Sequence, residues 1–156
     1  MAGSHRLPRL LPRLRLLVVT LWAGSLWTVG YLVAPTLFAT LPDRVLAGTV
    51  AGSMFRSQAW LTLACALALL VLVNVARELE PKRRRTLSIL VLAILAGTLA
   101  SHFGIQPMMG ALREAAGPGG VMDPAARSRF GMLHGISSVI YLVQSVLAGV
   151  LVVKNT

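Results

Sequence analysis

FGMLHGISSVIYLVQSVLAGVLVVKNT, residues Phe130–Thr156, is the stretch that decides the fold. From Phe130 to Val153 it carries no formal charge over 24 residues, more than the ~20 apolar residues a bilayer crossing needs. Within it His134, Ser138, Tyr141 and Ser145 stand at i, i+4, i+7 and i+11. At ~100° per residue those four side chains share one narrow helix face. Hydrocarbon penalises unsatisfied polar groups by several kcal/mol. This face is therefore expected to look inward, at other helices or a small polar cavity.

The composition agrees with a membrane origin. Of the 156 residues 56% are hydrophobic and 13% charged, and mean hydropathy is +0.75. Soluble domains sit near ~45–50% apolar and ~25% charged. The length suits one bundle of a few helices. A net charge of +10 would point to nucleic acid in a soluble chain. Here the basic residues form short blocks flanking apolar spans, which marks topology and argues against nucleic acid. The single cysteine, Cys65, lies in an apolar run and excludes an intrachain disulfide or a Cys-based metal motif.

Four crossings are expected, over about residues 16–41, 57–76, 86–104 and 130–153, behind a basic segment 1–15 whose Pro8 and Pro12 discourage helix. The uncharged run from Leu16 is too long for a signal peptide and reads as a retained first span, kinked near Pro35. Val45–Phe55, too short to cross, reads as an interfacial helix ahead of the second span. Met108–Ala116 reads as another. Gly117-Pro118-Gly119-Gly120 is a turn, and Asp123-Pro124 a cap and first position of a helix running into the fourth span. The fold class is thus all-α: an integral membrane four-helix bundle with short interfacial helices in the outer loops. Gly24, Gly48, Gly52, Gly97 and Ser101 are the small residues expected to let helices approach closely.

Charge sets the expected orientation. With the amino terminus inside, the inner segments hold ten Lys and Arg, among them Arg77, Lys82, Arg83, Arg84 and Arg85, and the outer loops five. That bias puts both termini in the cytoplasm. His102 ends the third span and His134 begins the fourth, so antiparallel packing brings them to similar depth. His102, Gln106, His134, Ser138, Tyr141 and Gln58 then form a candidate ligand or metal pocket in the outer half of the bundle. The competing reading has each histidine bonded to a backbone carbonyl freed at Pro35 or Pro107. Two imidazoles suit zinc, copper or haem iron, yet no carboxylate joins them at metal-ligand spacing. There is no nucleophile elbow, P-loop or dinucleotide fingerprint, so no catalytic residue is assigned and a non-enzymatic role is expected.

Trp22-Ala23-Gly24, Ala34-Pro35-Thr36-Leu37-Phe38, Ala47-Gly48, Gly52-Ser53-Met54-Phe55 and Phe130–Ser138 together resemble the membrane domain of unknown function 4149, which includes transmembrane protein 205. The resemblance runs from about Leu16 to Val153 and implies a four-helix membrane protein. A more distant similarity links it to copper-resistance and haem-linked four-helix membrane proteins. Three roles follow as expectations: a small-ligand or metal-binding, transport-related protein; a scaffold that associates with itself or a membrane-protein partner; and a haem-binding redox subunit. A bacterial cytoplasmic (inner) membrane is the expected location.

Overall fold

The computed structural model describes residues 7–76, 78–117 and 119–155, which contain helices and no strand. Arg77, Pro118 and the first six residues lie outside this set, and with them part of the basic block and of the expected glycine-rich turn.

The first span is a continuous rod of α1 (Leu7–Trp27), a π-helical segment π1 (Thr28–Val33) and α2 (Ala34–Thr40). The second is α3 (Arg44–Val75). The third repeats the plan of the first: α4 (Pro81–Leu99), π2 (Ala100–Ile105) and α5 (Gln106–Ala115). The fourth is α6 (Pro124–Asn155). α1 packs against α3 and α6, and α4 packs against the same two, closing a ring in which neighbours run antiparallel. All four rods are long and apolar enough to cross a membrane. Leu67, Val71, Val139 and Val146 are more than half exposed on them. Such a belt is stable only in lipid, so the chain is a multi-pass membrane protein.

The rods exceed the expected spans. α3 has 32 residues, about 48 Å at ~1.5 Å per residue against a ~30 Å hydrocarbon core. The expected interfacial helix Val45–Phe55 is therefore not separate: nothing at Arg56-Ser57-Gln58 breaks a helix, and the charge sits on an exposed face. Likewise the expected helix Met108–Ala116 is the end of the third rod. Asp43 starts α3 by accepting from the Val45 and Leu46 amides at 2.8 and 3.2 Å. Asp123 does the same for α6 through the Ala126 amide at 2.8 Å, as its sequence led us to expect. α1 begins at Leu7 rather than beyond Arg15, with Pro12 inside it. Pro12, the sixth residue of the helix, removes a single bond of the ladder there.

The prolines deeper in the spans act differently. In an α-helix the ring of Pro35 would meet the Tyr31 carbonyl, and that of Pro107 the Phe103 carbonyl. Both carbonyls lie in π segments, where the ladder shifts to i→i−5: the Ala34 amide bonds the Val29 carbonyl and the Gln106 amide the Ser101 carbonyl. Widening the turn moves the offending carbonyl aside without breaking the rod.

The two ends of the bundle are packed unequally. The half nearer the termini, here the proximal half, holds the apolar core: Val19, Trp22, Leu69, Val73, Leu87, Val91, Ile94 and Leu151 are nearly inaccessible. In the distal half the buried apolar side chains are small or few, Ala47, Ala51, Met109 and Leu133, and both π segments lie toward it.

Candidate functional site

Where the apolar core ends, a polar layer begins. Its proximal edge is the Trp22 indole, which donates to Thr62 Oγ1 at 3.0 Å inside the bundle. One turn further along α3, Gln58 is buried, at 5% exposure. Its Nε2 has no hydrogen-bond partner. Trp60 and His102 meet edge-on at 5.8 Å, which brings α3 and π2 level here, and Ser101 beside His102 likewise has a buried hydroxyl with no partner.

The fourth span closes this layer with two side chains that reach into its neighbours. Tyr141 donates its hydroxyl to the Leu26 carbonyl at 2.6 Å. This approach exists because position 30 is glycine: a methyl there would overlap the tyrosine ring. Tyr141 also meets Phe55 edge-on at 5.2 Å and Tyr31 edge-on at 6.4 Å, so one aromatic ring ties three spans. Gln144 does the same toward α4. Its Nε2 donates to the Ile94 carbonyl at 2.8 Å and to Thr98 Oγ1 at 2.7 Å, using both protons. Gly97 admits it, since a methyl there would stand 3.2 Å from the amide. Trp27 adds a bond to the Ser145 carbonyl at 3.2 Å.

The structure brings together only part of the six-residue pocket expected from the sequence. Gln58 is buried, and Tyr141, His102 and Gln106 are half-buried. His134 and Ser138 are exposed. The His134 ring stacks on Phe130 at 6.3 Å with planes 4° apart, and Arg113 stands 5.0 Å from the Phe130 ring. Ser137 and Ser138 both donate to the His134 carbonyl at 2.8 Å, not to its imidazole. The expectation that the whole stripe faces inward therefore holds for Tyr141 and Ser145 and fails for His134 and Ser138. The face is shared, but its cover ends: beyond π1 the first span continues as α2, which packs chiefly on α3.

This arrangement fits no resident metal or haem. His102 is held between Trp60 and Phe103, while His134 lies on an outer face. Among the described residues no group of three His, Cys, Asp or Glu could hold a metal ion. What the layer offers is neutral hydrogen-bonding chemistry, with donors in excess.

Of the glycines expected at helix contacts, Gly97 alone meets a neighbour tightly. Gly48 and Gly52 stand at ordinary distances from Phe38 and Arg113, and Gly24 has nothing within 4 Å. Gly30, Thr62, Thr98 and Gln144 complete the layer. Their signal was available in part: Gln144 is the one amide in an uncharged 24-residue run. It lies off the histidine stripe, so periodicity around His134 passes it by.

No curated protein and no solved structure matches the chain. A family model described as a domain of unknown function (DUF4149) matches residues 17–118, the first three spans and the π-distorted segments, while Phe130–Ser138 lies beyond the matched region. With well over half its length matched, this four-helix membrane protein belongs to the DUF4149 family.

Proposed function

We propose that the protein binds, and passes across the bilayer, a small uncharged molecule that accepts hydrogen bonds, at the polar layer around Gln58, and that it is not an enzyme. The observation that carries this reading is the Gln58 amide, buried and without a single hydrogen bond. A buried donor left unpaired costs about 1–3 kcal/mol, and the cost is greater where lipid excludes water. Natural chains retain such a group when something polar visits it. The unpaired Ser101 hydroxyl at nearly the same level extends the site, and His102, edge-on to Trp60, borders it. Among the described residues of the layer there is no carboxylate or guanidinium, which favours a neutral solute over an ion. Two to one, the charge bias of the segments favours both termini on the cytoplasmic side of a bacterial inner membrane. The site then lies in the outer half of the bundle.

The test is solute flux into vesicles carrying the full chain, with urea, glycerol and formamide as probes. Protein-dependent flux of at least one of them, lost in Gln58→Met, supports the reading. No flux of any of the three overturns it.

A second reading, self-association, is favoured by one feature. Gly131 and Gly135 have nothing within 4 Å, and His134 and Ser138 are exposed beside them. These positions, i, i+3, i+4 and i+7, make a small and polar face suited to close approach of a second copy. Gly135→Leu should then convert a dimer in lipid nanodiscs to a monomer, whereas Gly24→Leu should not; an unchanged mass for Gly135→Leu removes this reading. Gly97→Leu cannot serve, because Gly97 faces Gln144 inside the bundle.

A further inference from the structure

Five buried side-chain polar atoms among the described residues lack a partner, and three of them lie at the proximal end: Arg15 Nε, Arg84 Nε and Asn155 Nδ2. All three are N–H donors. The segments that carry them converge. Arg15, whose side chain is 5% exposed, pairs with Glu78 at 3.0 Å and so joins α1 to the turn before α4. Arg83 Nε donates to the Lys154 carbonyl at 3.1 Å and joins α4 to the end of α6. The described segments that meet at this end carry Arg13, Arg15, Lys82, Arg83, Arg84, Arg85 and Lys154 against the carboxylates Glu78 and Glu80. Glu78 is engaged by Arg15, and Glu80 makes no side-chain cap on α4. Lys82 to Arg85 also crowd the first turn of α4, the positive end of its dipole, where like charge is unfavourable and an anion is stabilised.

We infer that this end of the bundle binds the phosphate headgroup of an anionic membrane phospholipid. Guanidinium groups present their donors in a planar fork that matches phosphate oxygens, so a phosphodiester suits both the donor chemistry and the uncompensated charge of this end. A lipid is favoured over free phosphate because the cluster adjoins apolar surface along which acyl chains can lie. Leu14 and Leu17 on α1 and Ile89 on α4 are all well exposed just beyond it. This inference stands apart from the polar layer, which is neutral and deeper in the bundle.

The test uses the full chain in neutral detergent, read by native mass spectrometry and thermal unfolding with phosphatidylglycerol, phosphatidylcholine or inorganic phosphate. Phosphatidylglycerol should remain bound and raise the unfolding midpoint by several degrees, phosphatidylcholine should do neither, and inorganic phosphate should leave the midpoint unmoved. The double change Arg83→Gln with Arg84→Gln should weaken phosphatidylglycerol binding roughly tenfold or more, at about 1 kcal/mol per basic residue. The distal pair Arg127→Gln with Arg129→Gln should leave it intact. Should the proximal double variant fail to fold, Arg84→Lys keeps the charge but removes Nε, and should still lose bound phosphatidylglycerol. Equal retention of the two lipids, a full response to phosphate alone, or equal loss in the distal variant overturns the inference.

Discussion

Gln144 and Gln58 are both buried amides in the same membrane bundle, and their surroundings differ as the two halves of the molecule do. Gln144 reaches back toward the packed proximal half, where Ile94 and Thr98 take both of its protons and Gly97 leaves room for it. Gln58 stands at the border of the distal half and bonds to nothing. One amide is structural: it fastens the fourth span to the third, and a bilayer rewards such a bond with about 0.6–2 kcal/mol. The other makes no such bond. The lesson is that a polar residue in a membrane span acquires meaning from whether its neighbours satisfy it. The same contrast runs along the two distorted rods, whose proximal α-helical parts contribute to the packed core and whose π segments lie beyond it.

Substitutions can sharpen or break this contrast, read as unfolding free energy of the detergent-solubilised chain. The largest effect belongs to the proximal core. Leu69→Ala should cost about 3 kcal/mol through the cavity it leaves, while distal Phe38→Ala, at a side chain 43% exposed, should cost less than about 0.5 kcal/mol. Equal losses would mean the halves are not unequal. Gly30→Val should cost about 2–3 kcal/mol by overpacking against Tyr141, and Tyr141→Phe restores little of it, since it keeps the ring. Gln144→Leu should cost about 1–2 kcal/mol, leaving Thr98 bonded to the Ile94 carbonyl. The smallest effect has the opposite sign: Gln58→Met should stabilise the chain by about 1 kcal/mol, because it removes a buried unpaired donor. A destabilised Gln58→Met would place this amide in the same class as Gln144.

Much of the architecture was legible in the sequence for physical reasons. Uncharged runs mark the spans because charges are expelled from hydrocarbon. Asp123 marks a helix start because a carboxylate caps free amides. The lengths of the rods were not legible, since a helix can leave the bilayer without any residue that stops it, as α3 does past Arg56. Of the candidate pocket, Gln58 and Tyr141 belong to the interior, whereas His134 and Ser138 do not. Their periodicity is right, yet it fixes only which residues share a face. Whether another span covers that face depends on the path of the first rod beyond π1 and Pro35. The replacement partners, Gly30 opposite Tyr141 and Gly97 opposite Gln144, are pairings between distant spans that a single chain's spacing does not encode.

The central claim is that the Gln58 amide is available to a polar visitor and the Gln144 amide is not. Nuclear magnetic resonance of the full chain in lipid nanodiscs, with glutamine side chains labelled with nitrogen-15, measures this directly. The account predicts that the Gln58 amide protons exchange magnetisation with water or with added urea, while those of Gln144 remain protected. Equal protection of both amides would contradict it.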